Sequence, residues 1–174
     1  GKNIKCNKII FCSGFESTLL LKEKIAQLIY TYAIVSEPNI KLPSKLTDTL
    51  IWDTGDPYLY MRTTDDGRIL VGGEDDEYND SILQQKIKEK KSVLLQRKLR
   101  KIIPSIDFVE DFSWGGVFGT TKDGLPYIGE SPEHKNCLWC LGFGGNGITF
   151  STQGMNIITD LLKGTKNKLS TYYR

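Results

Sequence analysis

Apolar residues along the chain fall into short, differently spaced runs. Ile9-Ile10-Phe11-Cys12 is continuous and does not alternate, the pattern of a strand covered on both faces. With Asn3–Cys6 before it, this predicts two short strands ended by Ser13-Gly14. A helix is expected over 18–26. A strand is expected through Ile29-Tyr30-Thr31-Tyr32-Ala33-Ile34-Val35, where β-branched and aromatic residues crowd. Pro38 and Pro43 interrupt the next stretch. Asp65-Asp66-Gly67-Arg68 then separates Tyr58–Arg62 from Ile69–Gly73; Asp-Gly accepts the positive φ of a tight turn, so 58–73 is expected to be a β-hairpin. Leu83, Ile87, Leu94, Leu95, Leu99 and Ile102 keep helical spacing behind the N-cap candidates Asp80 and Ser81, predicting a helix over 80–103 stopped by Pro104. Two strands are expected within 106–130 around Lys122-Asp123-Gly124. A further strand at Cys137–Leu141 leads through a glycine-rich loop into a helix over 149–163, closed by Gly164. There is no internal repeat and no low-complexity linker.

Composition narrows the class. At 174 residues, 39% hydrophobic and 25% charged, the chain can bury a core, which excludes wholesale disorder. No apolar run reaches the ~18 residues of a membrane span. A formal charge of +2 argues against general phosphate-backbone binding, so no nucleic-acid partner is expected. The chain begins without Met and without a charged-then-apolar leader, so an incomplete or processed N-terminus is expected. Four cysteines are too few for a disulfide framework, which favours a reducing, cytoplasmic setting. The 80–103 segment carries eight basic residues (Lys86, Lys88, Lys90, Lys91, Arg97, Lys98, Arg100 and Lys101) against Glu89. A solvated outer face is the plain reading; a footprint for an anionic partner of a non-enzymatic interaction module is the alternative.

Candidate chemistry concentrates near the C-terminus. Gly142, Gly144 and Gly147 spell G-x-G-x-x-G between a strand and a helix. A dinucleotide-binding unit would need a further strand after that helix, with an acid for the ribose, and too little chain follows. What survives is a side-chain-free loop at a helix N-terminus, suited to an anion or a polar carbonyl oxygen, or else serving tight helix–strand packing. Cys137 and Cys140, with Cys6 and Cys12, invite a zinc or redox reading; positions three apart in a strand face opposite sides, so buried small hydrophobes are favoured. His134 is the single histidine and lies in a polar turn, so no Ser–His–acid triad is proposed and no metal site is expected. Tyr58, Tyr60 and Arg62 share one face of a hairpin strand by period two and are candidates for lining a polar substrate pocket.

Several of these segments together resemble one family. Ile10-Phe11-Cys12-Ser13-Gly14-Phe15-Glu16-Ser17 is similar to its "ATGxES"-type strand end, and Tyr58 through Asp75 to its substrate-domain hairpin. Trp114-Gly115-Gly116 with Thr121-Lys122-Asp123-Gly124-Leu125-Pro126-Tyr127-Ile128-Gly129 resembles its "TxDGLPxIG" segment. Gly142-Phe143-Gly144-Gly145-Asn146-Gly147-Ile148 resembles its C-terminal flavin loop. The order and content resemble the FAD-dependent amine and amino-acid oxidase family, which includes glycine oxidase, sarcosine oxidase and D-amino acid oxidase. The resemblance implies FAD as cofactor, an amine or amino-acid substrate, and an N-terminal FAD domain that these residues lack. It implies that Ser13 and Gly14 lie near FAD and that Gly144, Gly145, Asn146, Gly147 and Ile148 bring backbone amides toward the flavin. It also implies that Tyr58 lies near substrate. Where amino-acid oxidases of the family place an Arg for the substrate carboxylate, this chain has Phe118, leaving Arg62 as the remaining candidate and widening the expectation to amines.

The combined expectation is an α+β fold, a mostly antiparallel mixed sheet flanked by helices. Residues 1–35 would end an FAD-binding domain, 36–132 would form the substrate-binding domain, and 133–174 would supply the flavin-contacting strand, loop and helix. The expected function is the substrate-binding and flavin-contacting part of an FAD-dependent oxidoreductase acting on C–N bonds. By itself, without its pyrophosphate-cradling loop, it is expected to be inactive and to bind FAD poorly.

Overall fold

The computed structural model describes residues 1–79 and 81–173, and for Ser81 and Leu83 the backbone alone. The chain is α+β, with one three-stranded and one five-stranded sheet. It forms two compact units, residues 1–28 with 118–174, and residues 29–117.

In the first unit, β1 (Ile9–Phe11) lies parallel to β8 (Cys137–Leu141), with Ile9 opposite Cys137 and Phe11 opposite Trp139. β7 (Tyr127–Glu130) runs antiparallel on the other edge of β8. α2 (Gly147–Leu162) lays Ile157 and Ile158 on Ile128, Leu138 and Cys140, so the alternation of β8 gives that face to the helix. On the opposite face Phe11 stacks on Trp139 with ring centroids 4.4 Å apart.

Three expectations for the N-terminal stretch need correction. Residues 3–6 form no strand and are exposed. β1 is an edge strand rather than one covered on both faces: Ile9 and Ile10 are 44% and 43% exposed, because only β8 pairs with it. A 3-10 helix over Gly14–Leu20 stands where an α-helix was expected over 18–26. There the Thr18 hydroxyl donates to Phe15 O at 2.7 Å and Leu21 N–H to Thr18 O at 3.1 Å, closing the chain into tight turns before the next strand.

That strand, β2 (Ala26–Ser36), belongs to the five-stranded sheet with β3 (Leu50–Trp52), β4 (Leu59–Thr63), β5 (Ile69–Glu77) and β6 (Glu110–Thr121), in the order β3-β4-β5-β2-β6. The 58–73 hairpin forms as the sequence predicts, and Gly67 takes φ +72 in its turn. β6 and β7 flank the Lys122-Asp123-Gly124 turn but belong to different sheets. α1 (Ser81–Ile102) seats Leu95 and Leu99 on Tyr32, Ile34, Leu59, Met61, Ile69 and Val71. The N-cap expected at Asp80 and the side chain of Leu83 lie outside the described residues, and Ile102 is 48% exposed. Among the described residues no helix is long and apolar enough to cross a membrane.

The basic residues of α1 do not form a uniformly solvated face. Lys91 pairs with Asp76 at 2.7 Å, Lys98 pairs with Glu74, and Lys98 Nζ also donates to Pro57 O at 3.2 Å. Arg100 donates to Phe108 O at 3.4 Å. Lys86, Lys90, Arg97 and Lys101 remain exposed. Charge that the sequence presents as an outer footprint is partly spent on holding the helix to the sheet.

Gly154 provides a test of how closely α2 approaches β8. A Cβ there would lie 2.4 Å from Cys140 Sγ. Gly154→Ala is expected to destabilise the protein by about 1–3 kcal/mol in chemical denaturation through overpacking, and Gly154→Ala with Cys140→Ala to recover most of the loss.

Candidate functional site

In the first unit, the 142–147 loop follows the end of β8 and opens α2. Its glycines do two different jobs. Gly142 sits at φ +81 with a would-be Cβ 2.7 Å from Thr121 Cγ2, so its bare backbone serves close packing. Gly144 takes φ +54 and donates its N–H to Gly119 O at 3.0 Å. A Cβ at Gly144, Gly145 or Gly147 would meet nothing within 4 Å. Packing inside this chain therefore does not require glycine at 145 or 147.

Asn146 stands at the N-cap of α2 without a side-chain cap bond. Phe150 N–H is paired with Asn146 O at 3.0 Å, so the free amides of the first turn belong to residues 147–149. Ile148 is 90% exposed. A bare backbone surface, uncapped amides and the positive end of the helix dipole fit a flat, electron-rich group brought against the loop. Ser13 and Gly14, also in this unit, are exposed at the end of β1, and Ser13 Oγ lies 2.7 Å from Ser17 Oγ. Phe118 is half-buried in the same unit.

The second unit holds the tyrosine-bearing strand. In β4, Leu59 and Met61 face the core under α1, which leaves Tyr58, Tyr60 and Arg62 on the opposite face, as period two predicts. Tyr58 and Tyr60 have ring centroids 6.1 Å apart, and Arg62 is exposed. Tyr60 stands opposite both Trp52 and Gly72, where a Cβ would come 2.3 Å from the ring, so Gly72 is the floor on which Tyr60 lies. Burial, then the neighbouring Asp75 carboxylate, pushes the Tyr58 hydroxyl up to about 12. Burial also raises Tyr60, against a lowering contribution from Thr31. Both phenols are therefore neutral hydrogen-bonding groups near neutral pH.

Asp75 was not among the residues singled out from sequence. Strict alternation from Leu70 and Gly72 would put Glu74, not Asp75, on the tyrosine face. A register shift between Tyr30 and Tyr32, with Gly73 at φ +127 and Glu74 at φ +57, reverses the alternation. Glu74 and Asp76 then turn to Lys98 and Lys91 of α1, while Asp75 comes beside Tyr58. No local signal marks this beyond the Gly72-Gly73 pair.

Of the four cysteines Cys140 alone is a buried small hydrophobe; Cys6 and Cys12 are exposed and Cys137 is half-buried, because the N-terminal stretch and the edge strand β1 lie at the surface. Cys140 is buried against α2, and burial, then the nearby Cys12, pushes its thiol up to about 11. Among the described residues no group of His, Cys, Asp and Glu is arranged to hold a metal ion. His134 is exposed, with Nε2 3.1 Å from Leu20 O. A hollow of about 550 Å³ opens in the first unit among Leu21, Ile25, Tyr127, Trp139, Leu161 and Tyr173, none of them among the site residues expected from sequence.

Comparison with known proteins places the chain. A family profile described as DAO, FAD dependent oxidoreductase, matches residues 1–161. Glycine oxidase of Bacillus licheniformis is 30% identical over 126 residues, covering 71% of this chain and 32% of that protein. Glycine oxidase of Bacillus subtilis is 29% identical over 169 residues, covering 92% of this chain and 42% of that protein. Among solved structures, glycine oxidase from Geobacillus kaustophilus superposes with TM-score 0.66 at 19% identity, covering 95% of this chain and 44% of that one. Iminodiacetate oxidase from Chelativorans superposes with TM-score 0.70 at 17% identity, covering 99% and 47%. At those identities the superpositions show the fold alone. The chain spans less than half the length of each of these relatives.

The loop entering β4 has an acid-sensitive support. Asp53 Oδ1 accepts the N–H groups of Leu59 at 2.9 Å and Gly55 at 3.1 Å, and these two donors hold its carboxyl below the usual carboxylate range. A depressed folded-state value means the contribution is present above the ordinary carboxylate value of about 3.9 and is lost as pH falls through the lower folded value. Hydrogen exchange at the Leu59 amide is expected to quicken as pH falls below about 4, after correction for intrinsic rates. In Asp53→Asn, which keeps an acceptor but cannot titrate, that acid-dependent part is expected to disappear.

Proposed function

We propose what this protein does from one premise: the chain belongs to the FAD-dependent oxidoreductase family. It serves as the substrate-binding and flavin-contacting part of an enzyme that oxidises C–N bonds of amines or amino acids. Residues 1–35 and 133–174 contribute to the FAD-binding side and residues 36–132 to the substrate-binding side. The observation that carries the reading is the 144–147 loop, whose glycines face open space at an uncapped helix N-terminus. When bound, FAD supplies the chemistry by accepting the hydride that leaves the carbon next to the amine nitrogen.

The residues of this chain supply placement and electrostatics. The free amides of Gly145, Gly147 and Ile148 would face the flavin, whereas those of Gly144 and Asn146, also expected there, are taken by Gly119 O and Phe143 O at 3.0 Å each and shape the loop instead; the α2 dipole would favour negative charge on the ring. Ser13 and Gly14 approach FAD from the end of β1. Tyr58, Tyr60 and Arg62 bind substrate. Phe118 stands at the sequence position where amino-acid oxidases of the family carry a carboxylate-binding Arg, which keeps amines within the proposed substrate range. No general base of the histidine kind is required, because the amine need only be held neutral at the reacting carbon while hydride departs.

The pyrophosphate cradle is proposed to lie outside these 174 residues, in keeping with the 42% share of the Bacillus subtilis relative that the chain covers. The 174-residue chain alone is then expected to quench FAD fluorescence only weakly; tight stoichiometric binding would refute that division of labour. In the complete protein, an amine or amino acid is expected to bleach the flavin anaerobically, and failure with every primary and secondary amine and amino acid tried removes the oxidoreductase reading. Gly145→Val is expected to weaken FAD at least about tenfold with the melting temperature unchanged, since a side chain there meets only the cofactor.

A further inference from the structure

We propose that Asp75 receives the amino group of the substrate, which arrives as an ammonium ion and passes one proton to the carboxylate before hydride departs, and that the substrate is an amine without a carboxylate on the same carbon. The proposal rests on the oxidoreductase reading above and deepens it. Asp75 is half-buried, with the Tyr58 hydroxyl as a hydrogen-bonding neighbour of its carboxylate, while its Oδ1 is shut from solvent and accepts no hydrogen bond. Neither nearby lysine serves it. Lys91 is taken by Asp76 and Lys98 by Glu74, both on the opposite side of β5. A carboxylate oxygen withdrawn from water with neither donor nor cation beside it is unfavourable, and a donor cation brought to it removes that cost.

The surroundings suit an ammonium ion. Tyr58 lies beside the carboxylate, and Tyr60 follows two residues on, with the rings 6.1 Å apart. Aromatic faces next to a carboxylate bind alkylammonium groups by charge and by cation–π attraction together. Trp52, opposite Tyr60 and 68% exposed, extends the apolar surface along the same face for the rest of the molecule.

The spacing disfavours an α-amino acid held by both charges. Arg62 is four residues beyond Tyr58 on the same strand, roughly 13 Å at about 3.3 Å per residue. The ammonium and carboxylate of an α-amino acid sit on one carbon, so with the ammonium at Asp75 the carboxylate would stand close to a like charge, with Lys91 and Lys98 already taken. Arg62 is left to contact a remote polar group or none.

The test uses the 174-residue chain, labelled with ¹⁵N and titrated with three probes that share a butyl chain: n-butylammonium, norleucine and valerate. The expected result is saturable shifts at the amides of residues 58–60 and 73–76 with n-butylammonium, weaker ones with norleucine, and none with valerate. Asp75→Asn is expected to weaken n-butylammonium at least about tenfold, whereas Glu77→Gln on the same strand changes nothing. Equal binding by Asp75→Asn, absence of shifts with n-butylammonium, or norleucine or valerate binding as well as the amine each overturns the proposal. If Asp75→Asn fails to fold, the ranking of the three probes on the unsubstituted chain decides. The flavin experiments read the oxidoreductase assignment separately. Asp75-dependent amine binding in a protein that never reduces flavin sinks that assignment alone, and flavin reduction by amines with no Asp75 dependence sinks the anchor alone.

Discussion

The irregular step at Gly73 and Glu74 governs what each face of the five-stranded sheet carries. A side chain at Gly73 would come within 2.2 Å of Tyr58 O, and the φ of +127 is one that other residues rarely adopt, so the bulge depends on glycine there. Its effect is to slip the alternation by one. Glu74 and Asp76 turn toward α1 and meet Lys98 and Lys91. Tyr32 joins them by hydrogen-bonding to Asp76 at 3.1 Å and to Gln84. The helix is thereby held by polar contacts as well as by Leu95 and Leu99, and Asp75 is left on the tyrosine side. One backbone irregularity couples helix docking to the chemistry of the opposite face.

The three-stranded sheet solves a different problem with the same residue type. Gly142 and Gly154 are bare because the chain is crowded, with Thr121 and Cys140 where a Cβ would go. Gly144, Gly145 and Gly147 are bare with nothing of this chain beside them. Crowded glycines explain how α2 lies close on β8; uncrowded ones leave a backbone surface available to something else. Tight packing and ligand approach were competing explanations for the whole loop. They divide it between them, residue by residue.

Motifs in this chain are local and survive translation into structure. Asp-Gly at 66–67 makes its turn, the run Cys137–Leu141 makes a strand, and Gly164 takes φ +71 after α2. Each is decided by a few consecutive residues, which is why the family resemblance could be read before any fold was known. Expectations that depended on distant partners fared less well. Ile9-Ile10-Phe11 has the composition of a covered strand, yet it lies at an edge, because coverage is a property of neighbours. The stretch over 18–26 offers no continuous apolar stripe, and its turn is closed by Thr18 instead.

By itself the sequence determined the hairpin, the glycine loop, the long basic helix, the α+β class and the family, since these follow from spacing, turn chemistry and short motifs. It also put Tyr58, Tyr60 and Arg62 on one face, because alternation along an unbroken strand leaves no other choice. Only the tertiary structure decided that residues 1–28 and 118–174 make one compact unit, that Lys91 and Lys98 point inward, and that Asp75 rather than Glu74 stands with the tyrosines. The physical reason is common to all three. Pairing partners, burial and register shifts are set by chain segments far apart in sequence, and a single inserted residue in a strand exchanges its two faces.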